Sequence, residues 1–302
     1  MPERKNGVRD KRTITPTQPI GAPTHFPKRS LPHPPYIVHS IIVPLFIRHS
    51  DTDLHFARYD KAASVDFQFD TFHLRPQVSL TMNLREALSE LDMLKQPAQR
   101  VEMLINTPVT PVPLMEFQEE DCESIYQYCF SQQGRMRVFY DTVPAANVVL
   151  VFALDELMCK TLEDAFGTVR YCSAQTSVLQ HFSRKGLDSS PTRRRMFVYT
   201  HEGNVDVSVF DNERLVMFNS YPVRALTDVD YYVFNLAHHL AFNTAEEPIF
   251  VAGEEILRAP VVEELQKYAP RIYGIHPESD FNRHVVATTP DVPYDFICKL
   301  LA

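Results

Sequence analysis

Residues 196–253 follow an order that few folds accept. A strand over 196–200 leads into one over 204–210, where Val205, Val207 and Val209 take one face and Asp206 and Ser208 the other. That period of two marks a β-strand. The polar turn Asp211-Asn212-Glu213-Arg214 reverses the chain into a third strand over 215–218. A helix over 227–241 and a short apolar strand over 249–253 come next. A three-stranded meander followed by helix and strand confines this part of the chain to a small set of α/β architectures.

The same order is expected once before. A strand over 37–43 is followed by a turn over 49–53, a strand over 54–59 and a third over 65–72. A helix starting near Asn83 pairs Asn83 with Glu86 as a cap and presents Leu84, Ala87, Leu88 and Leu91. A strand over 101–105 and a helix over 119–130 complete the series, the helix placing Cys122, Ile125, Tyr126 and Cys129 at i, i+3, i+4 and i+7. Strands over 137–143 and 148–154, a helix closed by Gly167, a strand over 169–172 and a helix over 174–182 fill the passage to a polar loop over 185–194. The second series ends in a helix over 260–268 with Pro260 in its first turn. The fold class is therefore α/β with mixed α+β sheets: two ribonuclease H-like lobes, 36–154 and 155–302, facing each other across a cleft in the actin-like plan.

Residues 1–35 stand apart. They hold eight prolines and seven Lys or Arg against two acidic residues, so this stretch is about +5 while the remainder is about −13. With little apolar surface to offset the entropy of ordering, it reads as a disordered basic Pro-rich arm. The acidic body repels phosphate backbones, which argues against nucleic acid or an anionic membrane as its main partner. The arm is the one place for RNA or partner binding. No apolar run reaches the roughly 20 residues of a membrane span. The five cysteines are odd in number and lack CxxC spacing, which suits a reduced, cytoplasmic compartment.

Three segments carry a family resemblance. They are Leu215-Val-Met-Phe-Asn-Ser-Tyr-Pro-Val223, Thr227-Asp-Val-Asp-Tyr-Tyr-Val233 and Pro248-Ile-Phe-Val-Ala-Gly-Glu254. Together they resemble the uncharacterised bacterial family called domain of unknown function 3822, found mainly in Bacteroidetes. The passage from Ala153 through Gly167 to Tyr171-Cys-Ser-Ala174 also looks like the inter-lobe passage of actin-like pilus and secretion proteins. The resemblance spans about residues 36–302. It implies an actin-like ATPase fold, related to ribonuclease H, and no activity.

An active actin-like ATPase needs an acidic residue and glycines in the first hairpin of each lobe, and usually paired glycines where the adenine enters. The eight glycines here are scattered, no two within ten residues, so backbone amides cannot cluster around a phosphate. The first hairpin turn, 49–53, has no glycine. The second keeps Gly203 but sets His201 where the acid belongs. The adenosine position, Ala252-Gly253-Glu254, has one glycine and then a carboxylate. A ribonuclease H-type nuclease needs a carboxylate in the first strand, and 37–43 offers only His39 and Ser40.

Other candidates have plainer explanations. Adjacent His238 and His239 diverge by about 100° on a helix and cannot share a metal, so one is expected in the core and one in solvent. Asp228 and Asp230 sit in a helix first turn behind a Thr cap, where the dipole suits them. Arg193-Arg194-Arg195 reads as a solvated start of a strand, Tyr231-Tyr232 as core packing, and Cys122 and Cys129 as buried apolar residues. No catalytic residue, metal ligand or cofactor is expected. The expectation is a non-catalytic scaffold or assembly protein with a degenerate nucleotide site. The alternative is a divergent ATP-binding protein, ATPase or phosphotransferase using ATP and Mg²⁺ in an inter-lobe cleft lined by His201, Gly203, Gly253 and Glu254.

Overall fold

The first half is built outward from β1 (Leu45–His49), which pairs antiparallel with β2 (Asp53–Arg58); β2 in turn pairs antiparallel with β3 (Gln68–His73). In this computed structural model the described residues are 42–61, 66–131, 134–187 and 193–301. After β3, α1 (Leu80–Glu90) returns the chain to β4 (Val101–Ile105), which runs parallel to β1 with Arg48 opposite Leu104. A smaller unit follows: β5 (Thr110–Pro113), α2 (Cys122–Cys129), β6 (Met136–Val143) and β7 (Val148–Asp155). Its sheet has the order β5-β7-β6, and α2 covers it by packing Cys122 and Tyr126 on Val151 and Ala153. Then α3 (Glu156–Phe166) leads to β8 (Val169–Ser173), which joins the first sheet beside β4. That sheet has the order β3-β2-β1-β4-β8, so it is completed by residues beyond 154.

The second half repeats the arrangement. After α4 (Ala174–Arg184) come β9 (Arg194–His201), β10 (Asn204–Asp211), β11 (Arg214–Pro222), α5 (Leu226–His239), β12 (Ile249–Gly253), α6 (Glu255–Leu265) and β13 (Ile272–Gly274). The sheet order is β11-β10-β9-β12-β13, the same plan as the first. Three short helices close the chain: α7 (Pro277–Asp280), α8 (Val285–Thr288) and α9 (Tyr294–Leu301).

Strand alternation assigns the layers. Leu45 and Ile47 of β1 and Met103 of β4 face α1 and α3, against Leu84, Met158 and Leu162. Phe46 and Leu104, one position along, face the other way, onto Phe296, Ile297 and Leu300 of α9. In the second sheet Val205, Val207 and Val209 face α5 and α6. Phe197, Tyr199 and Phe210 face Val178, Leu179 and Phe182 of α4 and Tyr294 and Cys298 of α9. Helices α4 and α9 thus lie between the two sheets. Six of the eight residues of α9 are buried, as a helix covered on both sides requires.

Several expected elements moved. The first described strand is 45–49, not 37–43; residues 37–41 and the arm lie outside the described residues. His49 reads as the start of a polar turn, yet it ends the strand and is buried, as is Arg48 before it. Helix α1 starts three residues before Asn83, capped by Ser79, whose Oγ accepts from Met82 N–H. Asn83 is instead buried and bonds the backbone of Arg75, Val78 and Ser79. Pro260 sits inside α6; the donor it lacks would have reached the carbonyl of exposed Ile256. Of the paired residues, Cys129, His238 and His239 are all exposed. Strands β5 and β13 and helices α7, α8 and α9 were not anticipated.

Because α9 is wedged between two sheets, its core side chains should matter more than those of a terminal helix. Phe296→Ala is expected to cost about 3–5 kcal/mol of unfolding free energy, measured by urea denaturation followed by far-UV circular dichroism. A loss under about 1 kcal/mol would show that α9 docks only loosely.

Candidate functional site

The first hairpins of both halves end in the same place. β1 delivers Arg48 and His49 to the turn 50–52, and β9 delivers His201 to the turn 202–203, where Glu202 and Gly203 both take positive φ, 39° and 75°. Between them α9 presents Asp295, which is fully buried. Arg48, 1 % exposed, grips Asp295 with two parallel hydrogen bonds, Nε to Oδ1 at 2.7 Å and Nη2 to Oδ2 at 2.9 Å. Its Nη1 lies 2.9 Å from Glu202 Oε1. One guanidinium therefore ties a strand of the first half to the hairpin of the second and to the helix between them.

Glu202 gathers the remaining contacts. Its Oε2 accepts from Asp51 N–H at 3.4 Å and from Asn106 Nδ2 at 3.2 Å. Asn106 Oδ1 accepts from Gln175 Nε2 at 3.2 Å, and Gln175 Oε1 accepts from Ser173 Oγ at 2.8 Å. The chain of contacts thus runs from the second hairpin through the end of β4 to the start of α4. His201 stacks on Tyr199 with ring centroids 4.7 Å apart and sets Nε2 3.1 Å from Asp206 Oδ2. Both are buried.

Charge decides the state of this cluster. Burial alone would lower Arg48, but Asp295, with Glu202 behind it, holds the guanidinium well above its ordinary range. Burial would likewise raise Asp295; Arg48 and then His201 and His55 pull it below the usual carboxylate range. For His201 burial acts downward and is overcome by Asp206, then Asp295 and Glu202, so its pKa is raised. Two other imidazoles go the opposite way. Burial and then the Arg48 charge push His49 down to about 4, and the same two causes push His55 down to about 4. Arg48 against Glu202, Asp206 and Asp295 leaves the cluster negative in either protonation state of His201.

The four expected cleft residues lie near this cluster but in different roles. His201 is inside it. Gly203 is at the exposed tip of its hairpin, where a Cβ would meet nothing within 4 Å. Gly253, at φ +129°, packs on Thr200, and a Cβ there would overlap Thr200 O and Oγ1. This glycine is thus explained by the close pairing of β12 with β9, where Gly253 is opposite Thr200. Glu254 is exposed beside a cavity of about 560 Å³ lined by Gly253, Glu255, Glu278, Asp291 and Arg258. Partial burial holds its carboxyl above the ordinary range; Arg48 opposes this, while Glu202 and Asp295 add to it. Arg258 is committed to Ile275 O at 2.6 Å, Gly253 O and Glu255.

Sequence reading missed Arg48, Glu202, Asp206 and Asp295. The signal for Asp295 is a lone carboxylate in the apolar run Val292–Leu301, and for Arg48 a lone cation after Leu45-Phe-Ile47. The other candidates resolve simply. Asp228 accepts from the backbone N–H of Arg224 and Ala225 at 2.8 and 2.9 Å, with Ala225 rather than Thr227 at the N-cap. Arg195 is not solvated: it is 1 % exposed, with its guanidinium near the rings of Phe197 and Phe210 and donating to Ser183, Lys185 and Asn212 carbonyls. Tyr232 stacks on Tyr221 at 4.3 Å, whereas Tyr231 is exposed. Among the described residues no three His, Cys, Asp or Glu could hold a metal ion, and no helix is long and apolar enough to cross a membrane.

Comparison with known proteins fits this geometry. Residues 42–272 match the model of the family described as "Protein of unknown function (DUF3822)". No curated protein matches the chain. A crystal structure from Bacteroides thetaiotaomicron VPI-5482, described as a protein with actin-like ATPase fold and unknown function, superposes with a TM-score of 0.71 at 23 % identity; the match covers 82 % of this chain and 96 % of that one. A PilM–PilN type IV pilus biogenesis complex gives 0.48 at 12 % identity, covering 79 % and 90 %. The ethanolamine utilization protein EutJ of Carboxydothermus hydrogenoformans gives 0.42 at 8 %, covering 85 % and 89 %. The fold is the actin-like one.

Removing one partner of a buried ion pair strands the other charge. Arg48→Met and Asp295→Leu are each expected to cost about 3–5 kcal/mol, and the double variant to recover most of that, read from urea unfolding curves. Additive losses would mean that the two residues act independently. His49 and His55 predict the acid limb. Their folded pKa lies below the unfolded value, so the unfolded chain binds more protons between pH 6.5 and about 4, and stability falls as pH drops through that window. Each contributes up to about 3 kcal/mol. His49→Gln should flatten the profile of unfolding free energy against pH there; an unchanged slope would refute the assignment.

Proposed function

This chain belongs to the DUF3822 family of proteins of unknown function, and on that premise we propose that it serves as a non-catalytic scaffold or assembly protein. Its actin-like fold is retained, and the place of the nucleotide is taken by protein side chains. One observation carries this reading: the Glu202 carboxylate of the second hairpin accepts from Asp51 N–H of the first and contacts Arg48. A backbone amide and a guanidinium that could serve a phosphate are spent on an internal anion.

Electrostatics favours the same conclusion. A triphosphate brought to these hairpins meets Glu202, Asp206 and Asp295 within the cluster and Glu254 beside it. Charges at such distances in a partly desolvated site repel by several kcal/mol. The cavity next to Gly253 has room for a ring system, which supports the rival reading of a divergent ATP-binding protein. Its lining of Glu254, Glu255, Glu278 and Asp291, with the single Arg258 already engaged, weighs against an anionic ligand there.

A scaffold needs a partner, and the charge of the body, about −13 beyond residue 35, selects a protein with a basic face over nucleic acid. Five free cysteines, four of them buried, suit a cytoplasmic setting.

Calorimetric titration of the full chain with ATP and Mg²⁺ tests the reading. The expected outcome is no binding tighter than about 1 mM and no phosphate release above the buffer rate. Binding in the micromolar range, lost in Gly253→Arg, would replace the scaffold by the ATP-binding alternative.

A further inference from the structure

A second polar site lies apart from the hairpin cluster, whose own His49 Nδ1, His55 Nδ1 and Asp206 Oδ1 are buried without a hydrogen bond among the described residues. A cavity of about 330 Å³ opens on the α9 side of the first sheet, bounded by β6, β8, α4 and α9. Asp141 of β6 is fixed there. Its Oδ2 accepts from Ser173 N–H at 2.8 Å and from Thr176 Oγ1 at 2.9 Å, at the start of α4. Its Oδ1 makes no hydrogen bond among the described residues. Arg170 of β8 borders the same cavity, and its guanidinium makes neither ion pair nor hydrogen bond among the described residues. The side chains of Thr142, Ser177 and Gln180 complete the lining and are likewise uncommitted among them.

The charges do not cancel. Lys299 of α9 lies 2.7 Å from Glu102, which is shared with Arg100 at 2.9 Å. Two cations thus hold one carboxylate, and Arg170 adds a further positive charge against Asp141. The excess is one positive charge, with a fixed acceptor set among donors. A bare anion would satisfy the cations and leave Asp141 Oδ1 facing a like charge. A carboxylate bearing its own donor satisfies both.

We propose that this cavity binds a small α-substituted carboxylic acid, an α-hydroxy or α-amino acid. Its carboxylate pairs with Arg170 and the spare donor of Lys299, and its hydroxyl or ammonium donates to Asp141 Oδ1. Hydroxyl and amide groups of Ser177, Thr142 and Gln180 bond what remains. The site is separate from the hairpin cluster and independent of whether that cluster binds a nucleotide.

The test uses the full chain and a defined set of probes: glycolate, lactate, malate, the twenty standard amino acids, acetate, propionate and inorganic phosphate. Thermal unfolding with each is followed by calorimetry. At least one α-hydroxy or α-amino acid should raise Tm by roughly 5–10 °C at a hundredfold excess over its Kd. Its affinity should fall by about tenfold or more in Arg170→Gln, whose side chain is exposed, so the Tm of the unliganded variant should not move. Acetate and propionate should bind about tenfold more weakly than the matching α-substituted acid. The proposal is overturned by no binding of any such acid below about 10 mM, by equal affinity for acetate or phosphate, or by unchanged affinity in Arg170→Gln.

Discussion

A charged pair buried where two sheets and a helix meet governs this molecule. Taking Arg48 and Asp295 out of water costs several kcal/mol per ion, and only their direct, two-bond geometry returns it. The pair can form only when α9 lies against β1. Glu202 extends the requirement to the second hairpin. Three elements far apart in the chain thereby meet at one guanidinium.

From that junction the layers follow. Alternation in β1 and β4 sends one set of side chains to α1 and α3 and the other to α9. Alternation in β9 and β10 sends one set to α5 and α6 and the other to α4 and α9. The sandwiched helices are where the halves become one body, since the described residues belong to one compact unit. The two hairpins meet through Glu202, which accepts from Asp51 N–H and contacts Arg48.

The two polar sites illustrate opposite uses of buried hydrogen-bonding groups. In the hairpin cluster donors and acceptors come from the protein itself, at the cost of a negative potential and three imidazoles driven in different directions. The carboxylates around His201 overcome its burial and raise its pKa, while burial and the Arg48 charge push His49 and His55 down. Around Asp141 and Arg170 protein partners are missing, and a small molecule carrying both a carboxylate and a donor completes them. The first arrangement stabilises a shape and the second recognises a ligand.

Much of the architecture was legible in the residues. The meander at β9, β10 and β11 showed itself through Val205, Val207 and Val209, β4 matched its apolar run, and Gly167 marked the end of α3. The scattered glycines excluded phosphate loops before any coordinates. Local pattern failed where burial was charged. Asp206 and Ser208, set opposite the valines, are buried rather than solvated; His49 looked like the start of a turn, and Arg195 like a solvated strand entry. Hydropathy equates charge with water, whereas Arg48 is compensated by Asp295, 247 residues away, and Arg195 by carbonyls of the loops beside it. The sequence by itself determined the α/β order, its doubling and the lack of a glycine cradle, because these depend on periodicity and backbone freedom. The tertiary structure alone decided that Arg48 meets Asp295, that Glu202 fills the cleft and that Asp141 and Arg170 share a cavity, because each depends on packing between segments that share no local pattern.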